Sequence, residues 1–373
     1  MKVPFLDLKA QYETIHQEVE NAIWDVMESQ QFINGPQVAE FEQAIADYCN
    51  CKYAVGVSSG TDALLVSLLA LDIGPGDEVI TTPYTFVATA EAIARTGARP
   101  VFVDIEPETF NIDPKLIEAA ITDNTVAILP VHLFGQMADM TRITAIARHY
   151  ELQLVEDACQ ALGASAGWKA GAIGTCGCFS FFPSKNLGGI GDGGMITTNR
   201  EELASTCRQL RNHGGRTKDI YDMTGGNFRL DTIQAAVLLA KLPYLDDWAA
   251  DRRKNAADYS AQLYPCEDIV LPLTRPGYTS VFNQYVIRAP SRDKLKAHLA
   301  AAGIGTAIYY PKPLHKQECF QWSEWTGTIC RPIEQSCPVA DAMAEQTLAL
   351  PIYPELTCEQ ITYVADSIKE FYR

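Results

Sequence analysis

The feature that most constrains the fold is an alternation of short β-rich runs with helical patterns over the first two thirds of the chain. The β-rich runs cover residues 54–57, 79–82, 100–103, 126–131, 152–156, 178–182 and 195–198. Helical patterns separate most of them, at residues 61–71, 87–95, 114–121 and 140–150. Such alternation predicts an α/β fold with a mostly parallel sheet of about seven strands and helices on its faces. The last two runs are joined by a glycine-rich loop, so one strand can run antiparallel.

The two ends of the chain follow other patterns. Near the N-terminus, one helical face carries Tyr12, Ile15, Val19, Ala22, Ile23 and Val26, which predicts an amphipathic helix packed on the rest of the protein. After residue 245 we expect helices at 246–263, 292–302 and 358–372, and strands at 281–288 and 307–310. We therefore predict a large domain over residues 1–245 and a smaller α+β domain over residues 246–373.

Composition limits the classes of function. The chain has 373 residues, of which 47% are hydrophobic, so it can bury a substantial core. Its net charge of −16 argues against sequence-independent binding of nucleic acid, which needs a positive protein surface. We find no apolar stretch long enough for a signal peptide or a membrane span. The expectation is a cytoplasmic protein without a membrane or nucleic-acid partner.

The 11 cysteines do not indicate a metal site. Cys49 and Cys51 are separated by one residue, as are Cys176 and Cys178, whereas zinc knuckles commonly have two residues between their cysteines. We interpret them as reduced thiols, mostly in the core.

The segment from Ser58 to Ala63 has the features of an anion site. It lies between a predicted strand and a helix, and Gly60 allows a tight turn. Thr61 and Asp62 then fall where the helix begins, and free N–H groups and the helix dipole at that position favour a phosphate. An ordinary helix cap is the alternative reading.

Asp157 directly follows an apolar strand, in the sequence Val155-Glu156-Asp157. The carboxyl ends of strands are where open α/β sheets bind ligands. A carboxylate there can pair with a protonated pyridine nitrogen and strengthen that ring as an electron acceptor. A helix cap is again the alternative.

Lys185 follows the apolar strand that ends in Ser180-Phe181-Phe182 and precedes a glycine-rich loop. Most lysines are solvated, but one that projects from a buried strand end is partly desolvated. Desolvation lowers the pKa of an amine and suits it to Schiff-base chemistry. Ser180 can add a contact to a phosphate.

A dinucleotide-binding motif is excluded. Residues 189–194 match the spacing G-x-G-x-x-G, but a β-rich run follows where that motif needs a helix. The acidic residue expected about 20 positions later is also missing. Residues 225–231 predict only a turn before the helix at 232–242.

These segments together resemble the DegT/DnrJ family of nucleotide-sugar aminotransferases, within the fold type I (aspartate-aminotransferase-like) pyridoxal-phosphate enzymes. Matching order and spacing extend over nearly the whole chain. The matching stretches are PFLDLKAQY, SSGTDAL, GPGDEVITTPYTFVATA, PVHLFGQMADM, VEDACQ, FSFFPSKNLG, GDGGMITTN, RNHGG, GGNFRLDTIQAA, YYPKPLH and LALPIYP.

The resemblance implies roles for particular residues. Lys185 would form the Schiff base with pyridoxal 5′-phosphate and move protons, and Asp157 would pair with the ring nitrogen. The remaining cofactor contacts would come from Gly60, Thr61, Asp62, Phe86, Gln160 and Ser180, with Asn227 supplied by the neighbouring subunit of a homodimer. Tyr309, Tyr310 and His315 would line the sugar side, and His213 and Arg229 lie in matched loops.

The activity implied is transfer of an amino group from L-glutamate, through the pyridoxamine form of the cofactor, to a keto sugar linked to dTDP or UDP. The C-terminal segments resemble members that act on 3-keto sugars. A 4-keto nucleotide sugar or scyllo-inosose is the alternative substrate. A regulatory protein is the non-enzymatic alternative, but we find neither a helix-turn-helix nor a basic face.

Overall fold

The computed structural model describes residues 1–217, 219–321 and 336–373, and seven of its strands form one sheet. The strands are β1 (Tyr53–Val57), β2 (Glu78–Thr81), β3 (Arg99–Phe102), β4 (Thr125–Ile128), β5 (Gln153–Asp157), β6 (Cys176–Ser180) and β7 (Gly194–Thr198). Their order across the sheet is β1-β7-β6-β5-β4-β2-β3. Only β7 runs antiparallel to its neighbours, β1 and β6. The predicted mostly parallel sheet is confirmed.

Helices cover both faces of this sheet because successive strand side chains point to opposite faces. They are α1 (Leu8–Ser29), α2 (Pro36–Cys49), α3 (Gly60–Ala70), α4 (Ala88–Arg95), α5 (Met140–His149), α6 (Glu201–Leu210) and α7 (Thr232–Lys241). Helices α1, α2, α5 and α7 pack on one face, and α3, α4 and α6 pack on the other. Ala54 and Val55 of β1, for example, belong to different cores.

Two details of this part of the chain differ from the prediction. Residues 114–121 form two 3₁₀ turns, Pro114–Leu116 and Glu118–Ala120, and no α-helix. The stretch buries only two side chains, so it lacks the continuous apolar face that stabilises a longer helix. In α1, Ile15 and Val19 are buried as expected, but Tyr12 is 44% exposed.

The C-terminal part adds a second core. A hairpin of β8 (Gly215–Thr217) and β9 (Ile220–Tyr221) precedes α7, which is followed by α8 (Leu245–Leu263). Then come β10 (Tyr285–Arg288), α9 (Arg292–Ala301), α10 (Glu318–Gln321), α11 (Pro338–Gln346), β11 (Thr347–Leu350) and α12 (Cys358–Phe371). Strands β10 and β11 pair antiparallel, and α8, α9 and α12 share their core.

The strand predicted at 307–310 is wrong. Only Ala307 makes an isolated antiparallel bridge, to Ala349 of β11, and the chain then turns toward the main sheet. The domain boundary after residue 245 stays a prediction. Helix α8 places Leu245 in a core of the main sheet and Leu263 in the second core, so it joins both units.

Two further properties concern the part of the chain that the structure describes. None of its helices combines the length and apolar character required to cross a bilayer. Its ten cysteines are free thiols, and Cys330 lies outside the described residues.

Candidate active site

A cavity of about 420 Å³ opens where β5 and β6 end, beside the start of α3. Nine residues that the sequence singled out line it: Gly60, Thr61, Phe86, Asp157, Gln160, Ser180, Lys185, Tyr309 and Tyr310. They come from five separate segments of the chain, and the sheet topology brings them together. Three other predicted residues, Asp62, Asn227 and His315, do not line this cavity.

One end of the cavity is the N-terminus of α3. Ser59 caps this helix, because its hydroxyl accepts a hydrogen bond of 3.1 Å from the backbone N–H of Asp62. The Asp62 carboxylate is itself held by the Ser58 hydroxyl at 2.5 Å. The first turn of the helix therefore presents N–H groups and a positive dipole end beside Thr61, which suits an anion.

Gly60 lets this turn approach the sheet closely. A Cβ atom at residue 60 would lie 2.7 Å from the Cβ of Ser180 and 2.8 Å from the Sγ of Cys159. Any side chain at this position would have to displace these neighbours, so glycine allows the close approach. The result is that the start of α3 and the hydroxyl-bearing end of β6 face the same small volume.

Asp157 lies at the end of β5 with 5% exposure. Its Oδ2 accepts a hydrogen bond of 2.8 Å from the Thr89 hydroxyl, and its Oδ1 accepts one of 3.2 Å from the backbone N–H of Cys159. Because the hydroxyl hydrogen of Thr89 is donated to Asp157, the Thr85 hydroxyl, 3.1 Å away, is the donor to Thr89. Asp157 is thus fixed as an acceptor that lines the cavity.

Lys185 is carried by the loop that follows β6. Its backbone N–H donates to the carbonyl of Phe182 at 2.8 Å, and the N–H of Gly189 donates to the carbonyl of Phe181 at 2.8 Å. A Cβ at residue 188 would lie 2.2 Å from the Pro183 carbonyl oxygen. Burial lowers the pKa of Lys185, although Cys159 and Asp157 act in the opposite direction. A larger fraction of this amine is therefore neutral and nucleophilic than for a solvated lysine.

Gln160 links the large sheet to the segment at 307–310. Its Oε1 accepts the backbone N–H of Phe134 at 2.8 Å, and its Nε2 donates to the hydroxyl of Tyr310 at 3.1 Å. Because the Phe134 N–H can only donate, the orientation of the amide is determined. Its NH₂ end therefore faces the cavity side.

A buried pair behind Asp157 was missed from the sequence. The imidazole of His132 and the carboxylate of Glu156 are both fully buried, with Nε2 and Oε2 2.9 Å apart. His132 Nδ1 accepts the N–H of Ala138, so Nε2 carries the hydrogen and donates to Glu156. Backbone N–H groups of Gly171, Ile173 and Gly174 complete the shell at 2.6–2.9 Å.

These contacts decide the charge of Glu156. Burial alone would raise the pKa of Glu156, but the hydrogen bonds from His132 and from the N–H groups of Gly174 and Gly171 outweigh it and lower the pKa. A buried carboxylate with four donors therefore fixes the loop at 171–174 against the strand that carries Asp157.

Sequence patterns could have indicated only part of what was missed. Thr85 and Thr89 lie between the predicted strand at 79–82 and the first turn of the helix predicted at 87–95, and strand ends of this kind are where open α/β sheets bind ligands. Asn283 and Gln284, which also line the cavity, follow no local signal. They reach it because the backbone N–H groups of Val281 and Gln284 bond to Gly135 and Phe134.

The remaining predicted residues lie outside the cavity. Asn227 is exposed and forms a bridge with Asn212, which also accepts a hydrogen bond from Arg229. His315 approaches Asp341 at 3.3 Å, and burial lowers the pKa of His315.

A lysine after β6 and a carboxylate at the end of β5, beside a helix N-terminus, agree with the fold type I aminotransferases that the sequence resembles. Residues 13–369 match the model of the DegT/DnrJ/EryC1/StrS aminotransferase family, and the chain belongs to that family. The expected family and fold are confirmed.

Among its relatives, the chain is 49% identical to a "Pleiotropic regulatory protein" of Geobacillus stearothermophilus, covering 100% of this chain and 99% of that one. It is 44% identical to a UDP-N-acetyl-3-dehydro-alpha-D-glucosamine 3-aminotransferase of Acidithiobacillus ferrooxidans, covering 98% and 97%. A solved structure of S. venezuelae DesV in complex with a ketimine intermediate aligns with a TM-score of 0.94 and 43% identity, covering 99% and 98%.

Proposed function

We propose that this protein is a pyridoxal-phosphate-dependent aminotransferase that moves the amino group of L-glutamate to a keto sugar carried on a nucleoside diphosphate. The observation that carries the proposal is that Lys185 and Asp157 line the same cavity. The amine has a lowered pKa, and the carboxylate is buried and positioned by two donors. Membership of an aminotransferase family supports the same conclusion.

The residues present fit pyridoxal phosphate. Thr61, Ser180 and the first N–H groups of α3 would hold the phosphate, and the close approach at Gly60 brings these groups together. Asp157 would accept a hydrogen bond from the ring nitrogen. Phe86, 56% exposed at the cavity wall, would stack on the ring.

When bound, this cofactor supplies an aldehyde for a Schiff base and a ring that stores an electron pair. Lys185 Nζ acts as general base and acid, taking the proton from the α-carbon of glutamate and delivering it on the cofactor side. Asp157, whose carboxylate accepts hydrogen bonds from Thr89 and from the N–H of Cys159, would accept a further one from the protonated ring nitrogen. The same residues then work in reverse on the keto sugar.

We further propose a homodimer with shared active sites. Asn227 is exposed and does not line the cavity of its own chain, so it is free to reach the phosphate site of a second copy. Large apolar side chains are exposed on and just after α1, as expected for a surface that a second copy covers. They are Leu8, Tyr12, Trp24, Met27, Phe32 and Ile33. We also propose that the protein is cytoplasmic, which the free thiols support.

For the sugar, a 3-keto substrate linked to UDP or dTDP is favoured over a 4-keto sugar or scyllo-inosose. The support is the 44% identity to the UDP-sugar 3-aminotransferase. The test is to prepare the pyridoxamine form with glutamate, remove the glutamate, and add each ketone separately. Return of the visible Schiff-base absorbance with the 3-keto nucleotide sugars is expected. Return only with a 4-keto sugar or with scyllo-inosose would contradict this substrate assignment.

A regulatory role is the second candidate, favoured by the name of the relative from Geobacillus stearothermophilus. The net charge of −16 opposes DNA binding, because phosphate contacts need basic side chains. Binding to double-stranded DNA at modest salt, measured beside the glutamate half-reaction, separates the two candidates. We expect an active half-reaction and no DNA binding. Tight DNA binding with an inactive half-reaction would favour the regulator.

A further inference from the structure

The hydroxyl of Tyr310 has one hydrogen-bond partner among the residues that the structure describes. The hydroxyl oxygen accepts a hydrogen bond from Gln160 Nε2 at 3.1 Å, and the bond from Phe134 to Gln160 Oε1 fixes that direction. Within the described ranges, no residue accepts the hydrogen of this hydroxyl. Since Tyr310 lines the cavity, its O–H is available to a ligand there.

Gln160 provides a second donor beside it. The amide nitrogen carries two hydrogens, and one of them is directed at Tyr310. The other is available on the cavity side. Burial raises the pKa of Tyr310, so the phenol stays neutral and keeps its hydrogen. Two donors on the same wall suit a ligand oxygen that carries negative charge.

The backbone that carries Tyr310 is held firmly. The N–H of Tyr310 donates to the hydroxyl of Tyr84 at 3.1 Å, and that hydroxyl donates to the carbonyl of Tyr309 at 2.6 Å. Tyr84 is fully buried, and its hydroxyl also lies 2.6 Å from Thr347 of β11. Tyr84 therefore fixes the segment on which the phenol of Tyr310 is mounted.

We propose that Tyr310 is a cofactor-binding residue whose hydroxyl, oriented by Gln160, donates a hydrogen bond to the phenolic oxygen of the pyridoxal ring. Tyr84 is the positioning residue that acts through it. This inference rests on the proposed function, and it assigns Tyr310 to the cofactor where the family resemblance indicated the sugar.

The assignment has a spectroscopic consequence. A donor to the ring oxygen stabilises its negative charge and so lowers the pKa at which the Schiff base loses its proton. In Tyr310→Phe this donor is lost, and we expect that pKa to rise by about one unit, the size of one hydrogen bond to a charged group. The measurement is a pH titration of visible absorbance on the cofactor-loaded protein without substrate.

Tyr285→Phe is the matched control. Tyr285 is also fully buried, and its hydroxyl pairs with Ser260 at 3.0 Å in the second core, away from the cavity. We expect this variant to titrate like wild type. If Tyr310→Phe does not fold, Tyr84→Phe serves in its place, with a shift in the same direction because the Tyr310 backbone loses its anchor.

The outcomes separate the inference from the proposed function. A raised pKa in Tyr310→Phe with an unchanged control supports the assignment. A wild-type pKa in Tyr310→Phe, with only the KM for the sugar increased, overturns it and leaves the aminotransferase intact. Absence of any Schiff-base absorbance in the loaded wild-type protein overturns the proposed function and the assignment together.

Discussion

Replacing Gly60 by alanine tests how the start of α3 contributes to cofactor binding. The added Cβ would lie 2.7 Å from Ser180 Cβ, 2.8 Å from Cys159 Sγ and 3.3 Å from Ser180 Cα. Ordinary carbon contacts are about 3.5–4.0 Å, so the helix start must move away from β6 by about 1 Å. The fold tolerates such a shift, because alanine is a good residue for the first turn of a helix.

The expected loss can be estimated from this overlap. Overpacking a well-packed site costs about 1–3 kcal/mol. If cofactor binding requires the close approach, this strain weakens the affinity for pyridoxal phosphate by about 5- to 150-fold. The assay is a fluorescence or absorbance titration of the apo-protein with the cofactor, together with thermal unfolding of the apo-protein.

Gly74→Ala is the matched control for this titration. A Cβ at residue 74 meets only the carbonyl oxygen of Thr96, at an ordinary distance of 3.7 Å. The control should bind the cofactor like wild type. If Gly60→Ala also binds with wild-type affinity, the close approach at residue 60 has no part in holding the phosphate and the reasoning is refuted.

Three other predictions concern the same site. Asp157→Asn should slow the glutamate half-reaction by about 10²–10³-fold in single-turnover measurements, since a developing charge loses its partner; wild-type rates would exclude the ring-nitrogen role. Glu156→Gln should lower stability at pH 7 by about 1–3 kcal/mol in urea unfolding, because an amide cannot accept all four hydrogen bonds. Because the pKa of Glu156 is lowered in the folded state, its contribution to the free energy of unfolding is present above the unfolded value of 4.5 and is lost as pH falls. The stabilities of wild type and variant should therefore converge in acid. A difference in stability that does not change with pH would argue against this. Mixing Asn227→Ala with Lys185→Ala should restore activity through hybrid dimers, whereas no recovery would count against shared sites.

The sequence predicted the sheet well because each strand is a short apolar run between turn signals. Asp157 and Lys185 could be placed for the same reason, since both directly follow such runs. Helices α2 and α6 were not predicted, although Gly35-Pro36 is a recognisable helix start for α2. The exposure of Tyr12 could not be predicted, because the helical face it belongs to extends beyond the surface that the rest of the chain covers.

Long-range pairs were beyond the reach of local patterns. Gln160 and Tyr310 meet across 150 positions of the chain, and Tyr84 meets Thr347 across 263. The strand predicted at 307–310 failed for a related reason. The carbonyl of Tyr309 accepts from the side chains of Tyr84 and Thr347, and the N–H of Tyr310 donates to Tyr84, so these main-chain groups bond to side chains.

The central claim is that the Lys185 amine carries the cofactor. The most direct measurement is reduction of the pyridoxal-phosphate-loaded protein with borohydride, followed by proteolysis and mass analysis of every lysine-containing peptide. We predict a phosphopyridoxyl adduct on Lys185 in wild type and none in Lys185→Ala. A stable adduct on a different lysine, with Lys185 unmodified, would contradict the assignment.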